Sequence, residues 1–253
     1  MSKVQSQYIN REISWLSFNE RVLQEASDPA TPLIERLRFL GIFSNNRDEF
    51  FRIRVATVMR MLPLRKKAVP LLGMEPAYLL DQIQHKVIDQ QYRFDQLYGE
   101  ILNQLRANNV FILNERQLNS NQKLWVRNYF LDEILSAIFP IVIDDTKQFP
   151  YLRDRSSYLF LRLKSKKQED IPRYGLIEIP VPPLPRFIVL PEEDGKKFLM
   201  LLDDVIRFCL KDVFLVFGYT PSDAYCIKLT RDADRKSTRL NSSHVALSRM
   251  PSS

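Results

Sequence analysis

The chain has 253 residues, 45% hydrophobic and 26% charged, which is the composition of one or two globular domains. Its net charge is +7, but residues 234–253 supply +3 of that through Arg235, Lys236, Arg239 and Arg249 against Asp234. The first 233 residues therefore carry only +4, which permits a polyanionic partner without demanding one.

No apolar run approaches the ~20 residues of a membrane-spanning helix, and the first seven residues lack the apolar core of a secretory leader. Cys209 and Cys226 have no metal or redox spacing. A cytoplasmic protein with inert thiols is the expectation.

The first helix is expected over residues 12–26, with Trp15, Phe18, Val22 and Ala26 at i, i+3, i+7, i+11 forming its inward stripe. Ser17 and Glu20 have capping-box spacing, which allows a start as late as Ser17. After a turn at residues 27–32, Thr31 can cap a second helix with Pro32 at its first position. Leu33, Leu37, Leu40 and Ser44 set that helix's stripe.

The polar run Ser44-Asn45-Asn46 follows, and side chains of this kind favour caps over helix interiors. It is read as a helix break, with Asp48 and Glu49 in the first turn of the next helix, offsetting its dipole. Phe51, Val55, Val58, Met59 and Leu62 continue that helix. Pro63, Pro70 and Gly73, with the basic triplet Arg65, Lys66 and Lys67, predict a surface loop. A long helix then starts near Pro76 and carries Leu79, Ile83, Val87, Phe94, Leu97, Ile101 and Leu105 on one seam. Residues 1–108 thus read as an all-α helical bundle.

From Val110 the period changes. Residues 110–113 have strand length, a helix is expected over 121–137, and strands over 157–164, 174–179, 186–190 and 224–229. One more helix is expected near 202–213, and four prolines within residues 180–185 read as an extended connector. Residues 109–233 are therefore expected to form a partial α+β domain with a mixed sheet, making the chain α+β overall.

Groups able to do chemistry are few. His85 lies mid-helix and reads as a surface histidine, and no phosphate-cradling glycine motif or nucleophile elbow occurs. Asp48 with Glu49, and Asp144 with Asp145, are the adjacent acid pairs to weigh as proton carriers or magnesium ligands. Asp48 has Arg52 one turn on, an order that suits a helix-surface pair, and Asp144-Asp145 suits a strand-end turn. Asn46 has two readings. It can cap a helix, or its carboxamide, with two donors and an acceptor, can meet the edge of adenine. A stand-alone helical adaptor that binds RNA or an acidic partner through the basic triplet and the arginines of the third helix is the alternative for the chain as a whole.

The run from Tyr8 to Met61 closely resembles the amino-terminal domain of the bacterial polyphosphate kinases that pass through a phosphohistidine. The resemblance is carried by Ser14-Trp15-Leu16-Ser17-Phe18-Asn19-Glu20-Arg21-Val22-Leu23-Gln24-Glu25-Ala26 and Ser44-Asn45-Asn46-Arg47-Asp48-Glu49-Phe50, and continues more loosely to about Ala233. It implies an enzyme that moves the terminal phosphate of ATP reversibly onto polyphosphate with magnesium, and a second region acting as a head domain that forms dimers. It also implies that Asn46, as the second Asn of the run, contacts the ATP base, although Arg47 departs from the apolar residue common beside it. By the same resemblance the phosphate-accepting histidine and the magnesium ligands belong to later domains, so no catalytic or metal-binding residue is assigned here. ATP, ADP and polyphosphate are the implied partners, with no nucleic acid among them. Residues 234–253 have no amphipathic period and resemble a translated sequencing adapter, so a non-native tail is expected there.

Overall fold

The computed structural model describes residues 9–143, 149–165, 173–231 and 244–247. Its contacts divide into two units, one running up to Ala107 and the other covering Asn108–Arg231.

In the first unit, α1 (Arg11–Ser27) starts at Asn10, so neither Ser17 nor its capping-box spacing is used. Asn10 Oδ1 accepts the Glu12 N–H at 2.9 Å, and its Nδ2 donates to the Leu72 carbonyl at 2.6 Å. One side chain thus closes a helix start and ties it to a segment 62 residues away. The buried stripe of α1 is Glu12, Leu16, Asn19, Leu23 and Ala26, while Phe18 is 63% exposed. This corrects the expected stripe. Leu16, Leu23 and Ala26 bury together only if Glu12 and Asn19 come with them, and both polar groups find partners, Glu12 in Arg11 and Arg54 and Asn19 in Asn46 and the Phe43 carbonyl.

The second helix, α2 (Leu33–Phe50), begins one residue later than expected, and Pro32 at its N-cap position has no side-chain cap bond. The run Ser44-Asn45-Asn46 does not break it. Arg36, Leu40, Phe43 and Phe50 form an inward stripe that passes the polar run without interruption. The irregularity comes later, as a π turn at Phe51–Val55, and helical backbone resumes in α3 (Ala56–Met61). Asp48 and Glu49 therefore lie in the last turns of α2, not at a helix start.

The expected loop is mostly helical turns, divided at Arg65, whose backbone leaves the helical region at φ +47°. A 3-10 stretch, Leu62–Ala68, leads into α4 (Val69–Leu72), and Pro63 and Pro70 sit near the starts of these turns, where an N–H is not needed. Gly73, at φ +76°, ends α4 by donating its N–H to the Val69 carbonyl at 2.8 Å. The long helix α5 (Pro76–Ala107) buries Leu79, Ile83, Ile101 and Leu105. Leu16, Phe50, Val55, Val58, Ala68, Leu72, Leu79 and Ile83 make one core, in which the Trp15 and Phe50 rings stack with centroids 4.7 Å apart. Arg36, 4% exposed, donates from Nε to the Ala26 carbonyl and from Nη1 to Gln104 Oε1, both at 2.7 Å, so it closes the end of α1 and holds α5.

The second unit opens with β1 (Val110–Leu113). Asn119 and Gln122 form a capping box at the start of α6 (Ser120–Tyr129), which runs on through a π turn, Phe130–Ile134, and a 3-10 turn, Leu135–Ala137. The remaining elements are β2 (Pro140–Ile143), β3 (Ser157–Ser165), β4 (Arg173–Glu178), β5 (Phe187–Glu193), β6 (Lys196–Leu201), α7 (Leu202–Phe208), α8 (Leu210–Leu215), β7 (Tyr219–Thr230) and β8 (His244–Leu247).

The strands order as β1-β6-β5 and β2-β4-β3-β7-β8. The small sheet is mixed, since β1 pairs parallel to β6 and β5 pairs antiparallel to it. Pairing in the larger sheet is antiparallel throughout. Helix 202–213 splits at Cys209, whose backbone leaves the helical region. Residues 180–185 fold as a turn and not as an extended connector. Leu184 N–H bonds the Pro180 carbonyl at 3.0 Å, with cis peptides before Pro182 and Pro183. Asp144 and Asp145 lie outside the described residues. Phe130, Leu159, Leu161, Ile177, Met200, Ile206 and Phe214 centre this unit's core. No helix among the described residues is long and apolar enough to cross a membrane.

Phe50, 1% exposed and stacked on Trp15, fastens the last turn of α2 to α1. Phe50→Ala should destabilise the helical unit by about 3–5 kcal/mol, read as a shifted midpoint in urea unfolding followed by Trp15 fluorescence. A midpoint unchanged within error would show that this contact does not hold α1 to α2.

Candidate functional site

The site is built from two helices that share a buried amide. Asn19 is on the inward stripe of α1 with 0% exposure. Its Nδ2 donates to the Phe43 backbone carbonyl at 3.2 Å, and its Oδ1 accepts from Asn46 Nδ2 at 3.0 Å. Asn46, half-buried on α2, is thus held by a side chain from another helix and caps nothing.

The next residue along, Arg47, places its guanidinium 5.4 Å from the Phe43 ring centre and donates from Nη1 to Gln91 Oε1 at 2.6 Å. Burial lowers the Arg47 pKa, against the opposing charges of Asp48 and Asp95. Phe43 stacks on Phe94, with centroids 5.9 Å apart, so α5 supports the same turn of α2.

Beside Asn19 on α1, Glu20 collects cations and an amide from α5. Arg93 Nη1 donates to its Oε1, Lys86 Nζ lies 3.3 Å from Oε2, and Gln90 Nε2 reaches Oε2 at 3.4 Å while donating to the Leu16 carbonyl at 2.9 Å. Burial works to raise the Glu20 carboxyl, but the bonds from Lys86 and Gln90 and the charges of Lys86 and Arg93 outweigh it, leaving the pKa below the usual 4.5. The groove between α1 and α5, lined by Glu20, Gln24, Arg93, Gln96 and Glu100, holds about 200 Å³. That is less than the roughly 300 Å³ at which ligand-enclosing pockets begin. Asn46 is not among its lining residues.

The other candidates lie apart from this network. His85 is exposed, with Nδ1 2.9 Å from the Asp81 carbonyl oxygen of its own helix. Glu49 Oε2 is 3.4 Å from Arg52 Nη1. Arg65, Lys66 and Lys67 are exposed on the 3-10 stretch. Among the described residues no three His, Cys, Asp or Glu side chains converge.

Two family models match this sequence, one described as the polyphosphate kinase N-terminal domain over residues 8–113 and the other as the polyphosphate kinase middle domain over residues 121–245. The chain belongs to the polyphosphate kinase family. Among curated relatives, polyphosphate kinases of Vibrio vulnificus (strain YJ016) and Escherichia coli (strain K12) are each 44% identical over 90% of this chain. The match covers 32% and 33% of those proteins, so the chain spans about a third of their length. The crystal structure of the Porphyromonas gingivalis polyphosphate kinase superposes with a TM-score of 0.79 at 34% identity, over 91% of this chain and 34% of that one.

Sequence reasoning singled out Asn46 in this network and passed over Asn19. The signal was present: at positions 12, 16, 19, 23 and 26 an Asn and a Glu interrupt a stripe that is otherwise apolar.

Because the folded Glu20 pKa is lowered, its stabilising contribution is fully present above the unfolded carboxyl's pKa and is lost as the pH falls through the folded value. The thermal stability of the unsubstituted chain should therefore fall below about pH 4.5, and Glu20→Gln should flatten that limb while lowering stability at pH 7. Parallel pH profiles for the two proteins would remove Glu20 as the source.

Proposed function

We propose that this chain supplies the amino-terminal and head portions of an enzyme that transfers the terminal phosphate of ATP reversibly to inorganic polyphosphate through a phosphohistidine. Within it, residues 1–108 contact the ATP base through Asn46, and residues 109–233 provide the surface through which subunits associate. Family membership supports the reaction class. The observation carrying the local role is the Asn46 carboxamide, held through its amino group by a buried neighbour on a continuous helix.

A neutral amide is suited to this task. It offers hydrogen bonds to a base edge without adding charge beside the triphosphate. Magnesium, which the family reaction uses in this reading, would neutralise phosphate charge, and the family resemblance assigns its ligands to later domains. Working where ATP and polyphosphate are made, the enzyme is cytoplasmic.

Phosphoryl transfer depends on positioning a nucleophile and neutralising charge around it, and neither element is assigned to this chain. The 253-residue chain given labelled ATP should therefore acquire no acid-labile label, and a labelled chain would overturn that part. In the full-length enzyme carrying this segment, Asn46→Ala should raise the KM for ATP about tenfold, the scale of a lost base contact of about 1–3 kcal/mol. An unchanged KM would remove Asn46 from the nucleotide site.

A further inference from the structure

We infer that Asn19 is the positioning residue that sets which end of the Asn46 carboxamide meets the base, and so favours a 6-amino purine over a 6-oxo purine. This rests on the reading of Asn46 as the base contact.

The chain of reasoning starts at a backbone carbonyl. The two ends of a carboxamide have nearly the same shape, so only their neighbours decide which way round the group sits. The Phe43 oxygen can only accept, so the end of Asn19 that lies 3.2 Å from it must be the amino group. The other end of Asn19 is then the acceptor, and what faces it at 3.0 Å must be the amino group of Asn46. With 0% exposure at Asn19, no solvent is available to satisfy a reversed arrangement. Reversal would set oxygen against oxygen at Phe43 and amino against amino at Asn46.

Orientation is thus relayed from α2's backbone through α1 and back to α2. It commits one Asn46 N–H to the protein and leaves the carbonyl oxygen and the second N–H for a ligand. That pair matches the N1 edge of adenine, where the 6-amino group donates and ring atom N1 accepts. On the same edge hypoxanthine places a carbonyl at position 6 and an N–H at N1, which reverses both polarities. Asn46 alone could turn over to meet hypoxanthine, but Asn46 held by Asn19 cannot.

The test compares kcat and KM with ATP and with inosine triphosphate in the full-length enzyme carrying this segment, for the unsubstituted protein, Asn19→Leu and Asn46→Ala. The unsubstituted enzyme should favour ATP. Asn19→Leu should cut that preference about tenfold through KM, because a released amide serves both bases. A folded Asn19→Leu enzyme with an unchanged ATP-to-inosine ratio would overturn the inference, whatever its stability. If Asn46→Ala raises the KM for ATP in that case, the base contact stands and only the relay falls. If Asn46→Ala has no effect, the contact itself has failed.

Should Asn19→Leu not fold, nuclear magnetic resonance of the unsubstituted 253-residue chain decides the matter. The two Asn46 Nδ2 protons should resolve, with one of them protected from solvent exchange. Equal, fast exchange of both would overturn the relay.

Discussion

Three polar side chains, Asn19, Arg36 and Gln90, sit inside the helical unit at 0%, 4% and 1% exposure, and the hydrogen bonds they donate constrain how α1, α2 and α5 can meet. A buried polar group left without a partner costs about 1–3 kcal/mol, so each of these bonds must form when the helices dock. Asn19 reaches from α1 to the backbone of α2, Arg36 from α2 to the end of α1 and to α5, and Gln90 from α5 to the backbone of α1. Apolar packing alone would tolerate small rotations of one helix on another. Hydrogen bonds to specific carbonyls would not, and the placement of Asn46 inherits that register.

How much of this was legible depends on the kind of residue carrying each feature. Helix extents followed from spacing and punctuation, as with α1 and with α5 beginning at Pro76. Helix faces did not follow. On α1 the apolar residues Trp15, Phe18 and Val22 outvoted a stripe containing Glu12 and Asn19, although Glu12 has ion pairs to Arg11 and Arg54 at 2.8 and 2.9 Å that make its burial tolerable. On α2 the polar run looked like a break because Asn and Ser disfavour helix interiors by competing for their own backbone. Asn46 does not compete in that way, because its amino group is engaged by Asn19. A tertiary bond of that kind has no signature in local sequence.

In the second unit the same limit took a different form. The strand β6 escaped notice because its apolar residues, Phe198 to Leu201, run directly into the helix α7 at Leu202, so no turn residue marks the boundary. Its assignment depends on β1, with which it pairs in parallel across some 87 residues of chain (Val110 with Lys197), a long-range pairing no window could detect. The proline-rich stretch was misread for a related reason. Proline composition favours extended backbone, but a bond from Leu184 to Pro180 closes it into a turn on the way from β4, in one sheet, to β5, in the other.

The continuity of α2 changes what kind of site Asn46 can belong to. At a helix break its side chain would ride on backbone free to adjust to a ligand, and base selection would have to come from contacts formed on binding. On an unbroken helix its Cα is fixed by backbone bonds on both sides, and by Phe43 packed on Phe94 one turn earlier. What freedom remains is rotation of the carboxamide, and the bond to Asn19 removes it. A group held in this way gives up little conformational entropy when it meets a ligand. The first departure from regular α-helix, the π turn at Phe51–Val55, comes only after Phe50 has locked onto Trp15. The helix is thus regular at Asn46, and its irregularity falls beyond Phe50, which anchors it to α1.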